Sequence, residues 1–212
     1  MNDPAGEAAC GCTGDTERGS HDPAYRRALW WVVVLNVGFG LVELVGGFIA
    51  RSQAVKADSL DFLGDGSITF IGLLALAWSA AARARVALIQ GIFLAALGVW
   101  VLGMAGWRVM NAVLPEAELM GGLGLAGLAV NVTAALILAR FREAGDAQAR
   151  AIWLYSRNDA INSAAVVVAA ALVFWLGSAW PDLIVAAVIA AIFLHSAWEI
   201  IRDAGVELRA AS

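Results

Sequence analysis

Residues 28–50 read ALWWVVVLNVGFGLVELVGGFIA, a block with no Arg, Lys or Asp and with only Asn36 and Glu43 to interrupt its apolar run. An α-helix crosses the hydrocarbon core of a bilayer with roughly 20 such residues, so this block is long enough to span. Five more blocks of the same kind follow, at about residues 54–80, 86–107, 119–139, 151–177 and 183–201. Hydrocarbon offers no water to backbone polar groups, so each span must be helical to satisfy its own hydrogen bonds. The composition agrees, with 61% of the 212 residues hydrophobic and only 15% charged. A soluble domain carries about 25% charged residues. The sequence therefore predicts an all-α, polytopic membrane protein with six transmembrane helices. Residues 28–202 form its six-helix transmembrane domain, residues 1–27 a flexible cytosolic tail and residues 203–212 a short cytosolic tail.

The basic residues set the orientation. Arg18, Arg26 and Arg27, then Arg83 and Arg85, Arg140, Arg142 and Arg150, and finally Arg202 and Arg209 all fall on one side of the six blocks. Arg51, Lys56 and Arg108 fall on the other, and Arg157 lies inside a block. Ten against three places both termini in the cytoplasm, because loops rich in Lys and Arg stay inside. The start of the chain is polar and acidic, without the apolar core of a signal peptide, so the first span directs insertion. The basic residues are spread over short loops rather than gathered in a patch, which excludes a nucleic-acid partner.

Glu43, Asp58, Asp61, Asp65 and Asp159 lie well inside the blocks. One Asp at the centre of a spanning helix costs about 2.5–3.5 kcal/mol. Such residues face a cavity, a pathway or a partner rather than lipid. At 100° per residue Asp58, Asp61 and Asp65 share an arc of about 60° on the second span. On the fifth span Tyr155, Asn158, Asp159 and Asn162 occupy about 100°, with Arg157 turned away from them. On the first span Asn36 and Glu43 share a stripe with Gly40 and Gly47, and the fourth contributes Asn131. Crowded carboxylates behind low-dielectric walls cannot all be ionised at once unless a cation joins them, and a divalent cation displaces protons as it binds. Competition of metal and proton for one carboxylate cluster is the physical core of an antiporter. A polar network that only ties helices together is the plainer reading, and three acids on one helix face exceed what a tie needs. Ala87, Gly91 and Ala95 form a small-residue ridge on the third span, suited to close helix contact.

Cys10 and Cys12, the only cysteines, stand with His21 in the N-terminal tail. In a reducing compartment they do not form a disulfide. The three are either incidental or a soft-ligand set that captures a thiophilic ion.

Residues 57–65, ADSLDFLGD, resemble the second-span signature of the cation diffusion facilitator family, which has His or Asp and then Asp four residues on, here Asp61 and Asp65. Residues 158–163, NDAINS, resemble the second half of its fifth-span signature, with Asp159 as the matching Asp. Where the family has His or Asp four residues earlier, this chain has Tyr155. Asn36, Glu43 and the Pro181-Asp182 pair also fit the family pattern. The resemblance covers about residues 26–202. It implies efflux of a divalent transition metal from the cytosol in exchange for protons, at the bacterial inner membrane and as a homodimer. Most members add a C-terminal cytosolic domain, and a short form without it is expected here, with any dimer held through membrane helices. By resemblance Asp61, Asp65 and Asp159 are the metal ligands, with Asn162, Tyr155, Asn158 and Asp58 as candidates for further ligands or supports.

A site of carboxylates without imidazole is harder than a usual zinc site and suits manganese or magnesium better. The family favours zinc, so zinc is the first substrate expected, ahead of cobalt, cadmium, iron(II) and manganese. His195 lies near the cytosolic end of the sixth span, away from the gap. No bound cofactor and no enzymatic chemistry are expected. A passive cation channel is the alternative reading. An intramembrane aspartyl protease fits worse, because the Gly64-Asp65 pair lacks the Gly two residues before it that such proteases carry.

Overall fold

The computed structural model describes residues 23–74, 79–111, 113–142 and 147–210, with 72, 80, 83, 140–142, 147–158 and 210 as backbone only. Among these residues there is no strand, and six α-helices follow in order: α1 (Pro23–Ile49), α2 (Gln53–Leu74), α3 (Ala80–Asn111), α4 (Ala117–Arg142), α5 (Ala147–Leu176) and α6 (Trp180–Ala210). All except α2 are long and apolar enough to cross a membrane by themselves. Their outer faces carry exposed large apolar side chains, among them Trp31, Val45, Ile89, Leu136, Phe174 and Trp198.

Helix α2 is the exception because Lys56, Asp58, Asp61 and Asp65 fall within its 22 residues. Its position resolves the difficulty. It packs against all five other helices, and every residue from Gln53 to Leu60 is buried. A helix with that charge cannot face lipid, so the bundle closes around it.

The most extensive pairings are α4 with α5, α1 with α2 and α3 with α6; α1 also meets α4, and α6 leans on α2 and α5. Small residues let these backbones approach. A Cβ on Gly66 of α2 would stand 2.6 Å from Val37 Cγ2 and 3.2 Å from the Val37 backbone nitrogen on α1. One on Gly91 of α3 would stand 2.8 Å from Ile201 Cγ1 on α6. The third-span ridge read from the sequence thus does meet a neighbouring helix. Phe39 and Phe62 add an edge-on ring contact between α1 and α2, with centroids 5.0 Å apart.

One end of the bundle is tied by polar groups. Helix α1 finishes with Arg51 at φ 53°, and the Ser52 amide donates back to the Gly47 carbonyl at 3.1 Å. Ser52 then starts α2, its Oγ accepting from the Val55 amide at 3.0 Å, as an N-cap serine does. The buried Asp182, two residues into α6, reaches across and accepts from Ser52 Oγ at 2.6 Å and from the Gln53 and Ala54 amides at 2.9 and 3.0 Å. The Arg108 guanidinium of α3 donates to the Arg51 carbonyl. The Glu116 amide donates to the Ala50 carbonyl at 2.8 Å. The turns joining α1 to α2, α3 to α4 and α5 to α6 therefore meet at this end. Gly177, at φ 58°, closes α5 by donating to the Val173 carbonyl at 3.0 Å.

Several helices run beyond the blocks read in the sequence, α3 for instance starting at Ala80 and ending at Asn111 rather than spanning 86–107. Helix α1 begins at Pro23, where proline suits the first turn. Helix α6 continues to Ala210 through the stretch expected as a tail, because only Gly205 there is a weak helix former.

Candidate metal centre

A cavity of about 770 Å³ lies between α2, α3, α5 and α6, with the start of α1 at its edge. Asp61, Asp65, Asp159 and Asn162 line it, together with Gly64, Gln90 and Phe193. It extends from these acids to Tyr25, Arg26, Glu199 and Asp203, at the end of the bundle opposite the Asp182 network. Arg26, Glu199 and Asp203 are exposed, so the cavity reaches the surface there.

Helix α2 supplies two of the acids because Asp61 and Asp65 are four apart and share a face. Helix α5 supplies the third. The Asp159 carboxyl stands in side-chain contact with both Asp61 and Asp65, whereas Asp61 and Asp65 act on each other through charge. Asn162, one turn along α5, donates from Nδ2 to Asp61 Oδ2 at 2.9 Å and so fixes that carboxylate. Among the described residues no three Asp, Glu, His or Cys side chains close on a point as a preformed chelate does; Asp159 bridges two acids spread along the wall.

Asp58 goes elsewhere. Fully buried, it is not part of the cavity lining. Its Oδ2 accepts from Ser163 Oγ at 3.0 Å, and Asn131 Nδ2 of α4 donates to that same hydroxyl at 3.2 Å. The partner it faces is Glu43 of α1, also fully buried. Asn36 is buried beside Gly66, on the same stripe of α1 as Glu43. His195 projects outward, 3.7 Å from Glu199, with both side chains more than half exposed. It stands away from the acids, where the sequence put it. The side chains of Tyr155 and Asn158, and Cys10, Cys12 and His21 altogether, lie outside the described residues.

Gln90 of α3 lines the cavity with the acids, and its buried Nε2 has no partner. Its signal in the sequence is that it is the one amide in an otherwise apolar third block. In the sequence Asp182 shows only as half of the Pro181-Asp182 pair, and its hold on the start of α2 spans 130 residues of chain.

The sequence model of the cation efflux transmembrane domain matches residues 29–209. The chain is similar to the zinc transporter ZitB of Escherichia coli (strain K12), at 27% identity over 194 residues, covering 86% of this chain and 62% of that protein. It is similar to the cadmium, cobalt and zinc/H(+)-K(+) antiporter of Bacillus subtilis (strain 168) at 24% identity over 199 residues, covering 86% and 63%. The chain thus spans less than two thirds of the length of these relatives. With six helices around a carboxylate-lined cavity and a family match over nearly all of the described bundle, this multi-pass membrane protein belongs to the cation diffusion facilitator family.

Proposed function

We propose that this protein exports a divalent transition-metal cation from the cytosol in exchange for protons, with Asp61, Asp65 and Asp159 as the ligands that carry it. The observation behind this reading is the convergence of three carboxylates, from the central α2 and from α5, on a cavity that reaches the surface beside Glu199 and Asp203. A dication is the charge such a cluster suits, and its binding expels protons. Asn162 orients Asp61 in this scheme, and Tyr155 or Asn158 completes the coordination with water. Zinc ranks first, following the named substrates of both relatives. Cobalt, cadmium, iron(II) and manganese follow, the last two favoured by an all-oxygen donor set. The bacterial inner membrane, cytoplasmic termini and a homodimer joined through membrane helices belong to the same proposal.

The energetics favour two protons per metal. One pH unit supplies about 1.4 kcal/mol per proton. A potential of 100 mV adds about 2.3 kcal/mol for each charge moved. Two protons in for one dication out moves no net charge, whereas one-for-one exchange works against a potential negative inside. Proteoliposomes holding a pH-sensitive dye test this: zinc flux should bring an opposite proton signal that an imposed potential leaves unchanged. Metal flux without a proton signal leaves the channel reading, and strong voltage dependence changes the stoichiometry.

A further inference from the structure

Behind the cavity acids sits a second pair of carboxyls that the cargo site does not use. Glu43 of α1 and Asp58 of α2 are both 0% exposed and face each other. Neither oxygen of Glu43 has a hydrogen-bond partner, and neither does Asp58 Oδ1. The one donor to the pair is Ser163 Oγ, which serves Asp58 Oδ2. Asn131 serves that serine rather than either acid.

Among the described residues no basic side chain compensates the pair. Lys56 holds its ammonium 4.2 Å from the Phe48 ring and has Arg108 and Asp182 as charge neighbours. Arg108 in turn faces Asp182 and Arg51. The charged groups whose fields reach Glu43 and Asp58 from α2 and α5 are Asp61 and Asp159, both acids, while α4 presents the neutral Asn131. Two ionised carboxylates buried face to face, with three acceptor oxygens and no donor, are not a stable arrangement. Something positive has to lie between them. A metal ion needs more ligands than three oxygens, and these two acids do not line the cavity through which one could arrive. A proton needs two.

We propose that Glu43 and Asp58 form a proton-binding site separate from the cargo ligands, with one proton lying between the Glu43 carboxyl and Oδ1 of Asp58. Its use in the cycle rests on the exchange proposed above. Asp58 stands one turn from Asp61, and its field reaches Asp159. Consecutive residues of α5 hold the two clusters, Asn162 donating to Asp61 and Ser163 to Asp58. A dication arriving at the cargo acids makes ionisation of the pair less costly. The proton that leaves the pair is then one of the two exchanged.

Infrared spectroscopy of the purified full chain, metal-free and at neutral pH, decides the first point. Exposed carboxyls are ionised under these conditions. Asp61→Asn, Asp65→Asn and Asp159→Asn combined should leave a protonated-carboxyl C=O band, and adding Glu43→Gln should remove it. The glutamine amide supplies an N–H to Asp58 where the acid supplied its O–H, so the packing is kept. Should the combined variant not fold, glutamate carboxyl labelling in the unmutated chain replaces it, and an isotope-shifted acid band that Glu43→Gln abolishes carries the same meaning. Absence of the band, or its survival in Glu43→Gln, overturns the site. Zinc then tests the use: zinc binding should bleach the band in the unmutated chain, and protons released per zinc should fall from about two to about one in Glu43→Gln. A band that persists with zinc bound overturns the role in exchange. Failure of zinc to bind at all overturns the proposed transport and leaves the metal-free spectrum to decide the proton site.

Discussion

Asp182→Ala should be among the most destabilising single substitutions in this chain, although it lies at the end of the bundle away from the cargo acids. The carboxylate accepts three hydrogen bonds, from Ser52 Oγ at 2.6 Å and from the Gln53 and Ala54 amides at 2.9 and 3.0 Å, and all these groups are buried. Removing it takes a cap from α2, about 1 kcal/mol in the usual case. Two buried amides are then left without an acceptor, at about 1–3 kcal/mol each. Ser52 loses less, since its Oγ still accepts from the Val55 amide. The sum is about 3–7 kcal/mol, a fall in melting temperature of about 10–20 °C for a domain of this size. Asp182→Asn keeps one acceptor oxygen but turns an amide donor toward donors, so it should recover less than half of the loss. Thermal unfolding in a fixed detergent, followed by tryptophan fluorescence, measures all three proteins. A cycle with Ser52→Ala adds a check, because the serine substitution should cost clearly less in the Asp182→Ala background. Melting of Asp182→Ala within about 2 °C of the unmutated chain, less than the effect of 1 kcal/mol, would refute the idea that this carboxylate anchors α2.

Other expectations concern the cargo site and the packing around it. Asp159→Asn should lower zinc transport at least a hundredfold with normal membrane insertion, because it removes the carboxylate that touches both α2 acids; wild-type uptake at equal expression would take Asp159 out of the site. Tyr155→His should shift the ion ranking toward zinc over manganese in a competition assay, since imidazole suits zinc; an unchanged ranking means the side chain does not reach the ion. Gly66→Leu should destabilise by about 1–3 kcal/mol, the overpacking range, because the Val37 backbone nitrogen opposite cannot yield as a side-chain tip can; an unaltered melting curve would mean α1 and α2 part easily. Replacing Cys10, Cys12 and His21 together should raise the half-saturating metal concentration of transport and leave the maximal rate, and loss of all transport would instead make this segment part of the cycle.

Most of the architecture was legible because lipid imposes a length and a polarity that a single strand of text displays. Blocks such as residues 28–50 announce helices without any knowledge of their neighbours. The 3.6-residue period likewise placed Asp61 and Asp65 on one face, and the structure puts both on the cavity wall. The same period put Asp58 with them, and there the geometry parts company. An arc of about 60° is one face on an isolated helix, but α2 touches five helices, so a single face is divided among several neighbours. Asp58 is one turn nearer the clasped end and meets Glu43 and Ser163 instead of the cavity. Which neighbour a buried side chain meets depends on the packing of α1 and α5 around α2, and periodicity along one helix carries no record of that. The Asp182 clasp was hidden for a related reason: its partners are two backbone amides and one hydroxyl, groups that almost any sequence could provide.

Helix α2 joins these features into one device. A helix with four charged residues gains nothing from lipid and must be enclosed by protein, which makes it the natural axis of the bundle. Its enclosure is uneven. The first two turns are wholly buried, capped by Asp182 and packed around Glu43 and Asp58, whereas Asp61 and Asp65 border a cavity that reaches the opposite end. A cation held as proposed by Asp61, Asp65 and Asp159 would thus be open toward Glu199 and Asp203, and shut from the other side by about two turns of buried helix. Release on that other side requires α2 to separate from α6 where Asp182 holds it, or α1 and α5 to withdraw from around Glu43 and Asp58. Either motion exposes hydrogen-bond donors or carboxyls that are now buried, and its cost is lowest when water and protons can enter to meet them. In the proposed cycle the make-up of the closed end thus couples cargo release to proton entry, in addition to the exchange at the cargo acids themselves.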